Sequence, residues 1–111
     1  MNIRYVEIIP ASDIVQTGQP LNLLCLMENL SDGMQNHCVK LWARAEGNWV
    51  NLLTKEAELQ PKEHKHLYIT VPKECTTAAW WGQWDLEELE LILSDEIPTE
   101  DSIAKMIFVA E

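Results

Sequence analysis

The residues that could do chemistry are few and widely spaced. His64 and His66 stand two apart, a spacing that puts both on one face of a strand. With Cys75, or with His37 and Cys38, they could offer nitrogen and sulfur ligands to zinc. No CxxC or HxxxH element supports such a site, so surface histidines are the simpler expectation. Asp95, Glu96, Glu100 and Asp101 are hard oxygen donors of the kind calcium takes, but no EF-hand spacing accompanies them. Nucleophilic catalysis needs a base within reach of the nucleophile and a third group to orient it. The chain has no GxSxG, no glycine-rich phosphate loop and no HExxH. The expectation is a non-enzyme with neither metal nor cofactor.

The tryptophans carry more information. Five occur beside a single phenylalanine. Trp42 and Trp49 flank an expected hairpin, and Trp80, Trp81 and Trp84 surround Gly82. Some of them fill the core, since an indole buries a large area once its N–H finds an acceptor. Trp80 and Trp81 are neighbours, so one is expected inward and one outward. An outward indole beside acids could stack on a sugar or anchor a protein contact. Trp49, Trp80, Trp81 and Trp84 are therefore the candidate partner-binding residues.

Charge narrows the partners. The formal net charge is −10, and nine acids with no Lys or Arg lie between Glu74 and Ala104. Eight of these acids fall from Asp85 to Asp101. Such a field repels phosphate backbones, so nucleic-acid binding is not expected. No apolar run is long enough to cross a bilayer, and no secretory leader precedes Ile3. Three cysteines, Cys25, Cys38 and Cys75, cannot all pair within one chain. They read as free, buried thiols, which favours a reducing compartment such as the cytoplasm.

The elements that must position these residues repeat with a period of two. The chain has 111 residues, 47% of them hydrophobic, the size of one domain with one core. Strands are expected over Ile3 to Ile9, Leu21 to Glu28, Cys38 to Ala45, Trp49 to Thr54, around Leu67 to Val71, Leu89 to Ser94 and Ile103 to Ala110. A short extended piece covers Asp13 to Val15. Thr17-Gly18-Gln19, Asn29 to Gly33, Glu46-Gly47-Asn48 and Leu59 to Lys62 supply the turns. Asp85-Leu-Glu-Glu88 has the form of a helix cap, which predicts a short helical turn there. Seven or so strands at this spacing make an all-β, antiparallel, immunoglobulin-like sandwich.

Several strands are more apolar than one wet face requires. Leu24 and Leu26 occupy the face that should be wet, and Trp49, Val50, Leu52 and Leu53 populate both faces of the hairpin strand. That face is then covered either by the Trp-rich segment or by another chain.

Thr17-Gly18-Gln19-Pro20-Leu21, Met27-Glu28-Asn29 and Leu59-Gln60-Pro61 leading to Tyr68-Ile69-Thr70-Val71-Pro72 together resemble bacterial Ig-like modules of the CARDB and fibronectin type III kind. In such modules a turn glycine precedes the second strand, an asparagine closes it and a Leu-x-Pro turn precedes the fifth. The resemblance spans roughly residues 13 to 109 and implies a sandwich that spaces or binds. The antibody-type pattern does not carry over. Cys25 and Trp42 fit it, but Cys75 follows Pro72-Lys73-Glu74 with no tyrosine two residues before. The function expected is a structural or protein-interaction module with a protein partner or a second copy of itself, as in a larger bacterial or phage assembly. The alternatives are carbohydrate binding through exposed tryptophans and an acidic inhibitor or nucleic-acid mimic that engages a basic protein.

Overall fold

The computed structural model describes residues 2–45, 48–82, 86–94, 98 and 102–111. Alternating apolar residues dictate its layers. Leu21, Leu23, Cys25 and Met27 are all buried on one face of β3 (Leu21–Asn29), while Asn22, Leu24, Leu26 and Glu28 face the other way. β3 is the middle strand of a three-stranded sheet, between β1 (Ile3–Pro10) and β6 (His64–Val71). The second sheet has the order β2-β8-β7-β4-β5. It contains β2 (Ile14–Gln16), β4 (Gln35–Ala45), β5 (Asn48–Leu59), β7 (Glu88–Leu93) and β8 (Ile103–Ala110).

The two sheets pack face to face as an all-β sandwich. Cys25, Leu23, Met27 and Val71 from one sheet meet Val39, Leu41, Leu89, Leu91 and Ile107 from the other in one continuous core. Burying alternate side chains on two facing sheets removes their apolar area from water, which is the main force holding such a fold.

Pairing is antiparallel except between β2 and β8, which run parallel with Ile14 beside Phe108 and Val15 beside Val109. The extended piece expected near Asp13 to Val15 is therefore a strand that has left β1's sheet for the other one. Pro10 makes this possible by ending β1.

The largest boundary differences from the sequence reading lie in the hairpin. β4 begins at Gln35 rather than Cys38, and β5 runs on to Leu59 rather than stopping at Thr54, because the hairpin ladder continues from Leu41↔Leu53 to Gln35↔Leu59. The charged run Lys55, Glu56, Glu58 is tolerated because β5 is an edge strand. The tight hairpin is closed at Ala45↔Asn48. Glu46 and Gly47 lie outside the described residues.

The helical turns fall upstream of the place expected. A 3-10 turn spans Lys73–Thr76 and a single helical turn, α1, spans Ala78–Trp81. Thr77 caps α1 by accepting the Trp80 N–H at 3.3 Å, and Gly82 ends it in the left-handed region at φ 69°. Of the segment expected to be helical, Asp85 lies outside the described residues, Leu86 and Glu87 are not helical, and Glu88 already belongs to β7. Leu89, Leu91 and Leu93 are all buried, and the strand that buries them prevails over the cap pattern.

Thr76 ties this crossover to the β2–β3 turn. Its hydroxyl accepts the Gly18 N–H at 2.9 Å and lies 2.9 Å from the Gln19 carbonyl, while Thr17 donates its hydroxyl to the Thr76 carbonyl at 2.9 Å.

Candidate functional site

Register assigns the outward residues of the five-stranded sheet to cross-strand rows. Trp42, Ile92 and Ala104 make one row, and Arg44, Glu90 and Met106 the next. Glu88, Phe108 and Ile14 make the third.

Ile92 is only 1% exposed although it points outward. Residues of the chain itself cover it, with Pro98 among those beside it. The Trp42 indole N–H donates to the Ser94 carbonyl at 3.2 Å, and Pro98 is buried. A groove of about 420 Å³ remains beside this cover, lined by Arg44, Trp49, Glu90, Ile92, Pro98 and Ser102.

Groups in the groove are already engaged with each other. The Arg44 guanidinium sits 4.4 Å from the centre of the Trp49 ring and its Nη2 lies 3.1 Å from Glu90 Oε1. One charge is balanced by the other, and the indole face is occupied by a cation. That leaves little to attract an anion or a sugar.

Beyond the groove the sheet turns apolar and open. Met106 is 39% exposed, Phe108 49% and Ile14 57%. The three lie in adjacent rows, and Asp13, Glu88 and Glu111 stand at their margin in sequence and register. None of the three had been singled out from the sequence. The signal was present in Met106-Ile107-Phe108-Val109, four apolar residues in succession, of which only alternate ones can face the core.

The expected contact tryptophans separate. Trp80 and Trp81 meet edge to face with centroids 4.9 Å apart and planes at 77°. Trp80 is 44% exposed, whereas Trp81 packs against the core and donates its N–H to the Cys75 carbonyl at 2.7 Å. One is outward and one inward, as expected, although on a helical turn rather than on extended chain. Trp49 belongs to the groove on the outer sheet face. Trp84 lies outside the described residues, as do Asp95, Glu96, Glu100 and Asp101 of the loop considered for calcium.

The Trp-rich segment as described does not account for the extra apolar residues. Leu24 and Leu26 lie half-buried on the outer face of the three-stranded sheet, in rows with Ile9 and Tyr68 and with Glu7 and His66. His64 and His66 share that face, and His64 Nδ1 lies 3.3 Å from Glu28, which also pairs with Arg4 at 3.0 Å. Cys75 follows the opposite end of β6, and the His37 ring nitrogen is 2.7 Å from the Tyr5 hydroxyl. Among the described residues no group of His, Cys, Asp and Glu is placed to hold a metal.

All three cysteines are free, but only Cys25 and Cys75 are buried; Cys38 is exposed. The expectation of three buried thiols is corrected for Cys38 by strand parity, since Val39 takes the inward position. Burial pushes the Cys25 thiol up to about 11, with the Lys55 charge pulling the other way. Burial, aided by Glu74, also raises Cys75. Neither thiol is an activated nucleophile.

No family model matches the chain, and no curated protein does. Solved structures do. A β-glucosidase from Erythrobacter marinus superposes with a TM-score of 0.77 at 13% identity, over 97% of this chain and 15% of that one. A β-glucosidase involved in saponin metabolism from intestinal bacteria gives 0.80 at 15% identity, over 97% of this chain and 16% of that one. A Paenibacillus cycloisomaltooligosaccharide glucanotransferase gives 0.70 at 12%, over 96% of this chain and 14% of that one. The likeness is one of fold. In each of these larger proteins the matching fold is a small part of the chain.

No described helix is long and apolar enough to cross a membrane.

Proposed function

We propose that the chain is a non-catalytic, immunoglobulin-like interaction module that docks a folded protein through the outward face of β8 and β2. The observation that carries this reading is the open apolar patch of Ile14, Met106 and Phe108, over two adjacent rows, on a sheet whose neighbouring outward residue, Ile92, is covered by the chain itself. Contiguous exposed apolar surface of this kind is a feature of interaction sites. The partner's chemistry follows from the margin: an apolar centre to meet Phe108 and Met106, rimmed by Lys or Arg to meet Glu88 and Glu111, since Asp13 already lies 4.0 Å from Lys105. A second copy fits less well, because each copy carries a net charge of −10.

Carbohydrate binding has less support. Arg44 occupies a face of Trp49, Trp81 is anchored through its N–H, and Trp80 packs on Trp81.

A photo-crosslinker at position 108, with one at Tyr68 as control, tests the docking reading in cells that express the chain naturally. We expect position 108 to join one identified protein through a segment rich in apolar and basic residues. Capture should fall in about 1 M salt, where screening acts within about 3 Å. It should also be lost in a Met106→Asp, Ile14→Asp variant that melts like the parent. Equal capture from Tyr68, or a product that is only a second copy, overturns the reading.

A further inference from the structure

β5 is the longest strand described, at 12 residues, and it lies at an edge, paired with β4 alone. Among the described residues, one side of its backbone therefore has no strand beside it. Such an edge is a template on which an extended segment can add, with main-chain hydrogen bonds supplying affinity and alternate side chains supplying specificity.

Two features decide which part of the edge is usable. The only irregularity in the β4–β5 ladder falls between Leu41 and Trp42, opposite Leu53 and Asn51, so pairing from Leu53 to Leu59 is regular. Lys55 shares a row with buried Val39, an inward-pointing charge of the sort that blunts an edge. Yet its ammonium is spent elsewhere: it donates to the Tyr68 carbonyl of β6 at 2.9 Å. That contact covers part of the edge of the other sheet.

We propose that this stretch of β5, Leu53 to Leu59, accepts an extended peptide that carries Lys or Arg at alternate positions. The outward residues here are Thr54, Glu56 and Glu58, all exposed. Their cross-strand neighbours on β4 beside the two carboxylates are Cys38 and Asn36, which are neutral. Among the described residues neither carboxylate has a cation partner; Glu58 accepts only the Gln60 side-chain amide, at 3.1 Å. A groove of about 440 Å³ opens beside them.

A strand laid along this edge places two of its own outward side chains opposite Glu56 and Glu58, two residues apart. Opposite charges in directly facing positions favour pairing, and like charges oppose it. The same geometry disfavours a second copy of this chain, whose own Glu56 and Glu58 would repel these and whose total charge adds to the repulsion. This site lies at the opposite edge of the sheet from β2 and does not depend on the docking proposal above.

The test uses blocked peptides of alternating Lys and Val, or of alternating Glu and Val, titrated against the full chain and followed by backbone amide NMR. We expect the Lys peptide to shift and protect amides within Leu53–Leu59, and the Glu peptide to do neither. The exposed double variant Glu56→Lys, Glu58→Lys should melt like the parent and bind the Lys peptide about tenfold more weakly, a loss of about 1.4 kcal/mol over two facing pairs. It should gain binding to the Glu peptide. Met106→Asp should leave both results unchanged, which separates this site from the β8 face. No shifts, shifts scattered over the acidic surface, or affinity indifferent to the charge reversal each overturn the proposal. So do the same amide shifts on raising the concentration of the chain alone.

Discussion

Cys25 shows how a single side chain ties burial to pH. It is 0% exposed on the inward face of β3, between Ile8 of β1 and Leu67 of β6. Burial holds its proton up to about 11, against an ordinary value of 9.0, with Lys55 as a weaker opposing influence. The folded chain therefore keeps a proton that the unfolded chain gives up above about 9. The stabilisation is complete below that value and is lost as pH rises toward about 11, at no more than about 1.4 kcal/mol per pH unit. Denaturant melts across this window should show the parent losing stability relative to Cys25→Val as the thiol ionises. A constant difference between them at every pH would sink the assignment. Part of this was legible. An apolar alternation around Cys25 marks it as an inward thiol, whereas Cys38 needed its parity with Val39 to be fixed by real pairing before its exposure was visible. Trp80 and Trp81 were correctly split between inside and outside. Trp49 was not placed, because its Arg44 contact depends on the hairpin register.

Among the elements, the end of β3 is held by one amide. Asn29 is 2% exposed, and its Nδ2 donates to the carbonyls of Gly33 at 2.8 Å and Gln60 at 2.9 Å, while Oδ1 accepts the Ser31 N–H at 3.0 Å. It joins the β3–β4 loop to the turn after β5. Asn29→Ala leaves those backbone groups without their partner, at a cost of about 2–3 kcal/mol, where an exposed substitution such as Asn22→Ala costs about 0.5 kcal/mol or less. Urea midpoints of the two variants check this, and similar midpoints would contradict it. Asn29 reads as the first residue of a loop and is instead the last of β3, but the strands whose apolar residues alternate were legible in the sequence. The ends of β4 and β5 were not, since polar residues such as Asn36 and Glu58 are held in strand by their ladder partners. The helical turns were displaced for a related reason: Asp85 to Glu88 has cap chemistry, but the burial of Leu89 and Leu91 draws the chain straight into β7. On β8, the apolar run from Met106 to Val109 is legible in the sequence, but which of its two faces stays open depends on the pairing with β7 and β2.

For the molecule as a whole, charge and shape act together. A net charge of −10 on a body 48 Å long and 18 Å across its narrowest direction keeps copies apart while leaving apolar surface open to an oppositely charged partner. The order of strands is where sequence reading stops, because period two says which face is buried but not which strand lies beside which. The crossover of β2 to the far sheet is of that kind. Its parallel pairing with β8, closed by the Thr17 N–H to Ala110 carbonyl bond at 2.8 Å and the Phe108 N–H to Asp13 carbonyl bond at 2.8 Å, has a mechanical meaning. Tension that enters β2 from the chain's beginning and leaves β8 toward its end pulls on opposite ends of two parallel strands. These bonds are then loaded in shear and must yield together, instead of peeling one after another. Single-molecule pulling should give a lower rupture force for Thr17→Pro, which lacks the donor; an unchanged force would mean that the load path runs elsewhere. Three residues of β2 would then act as a latch between the two sheets, beside the Lys55 and His37 contacts that also cross between them.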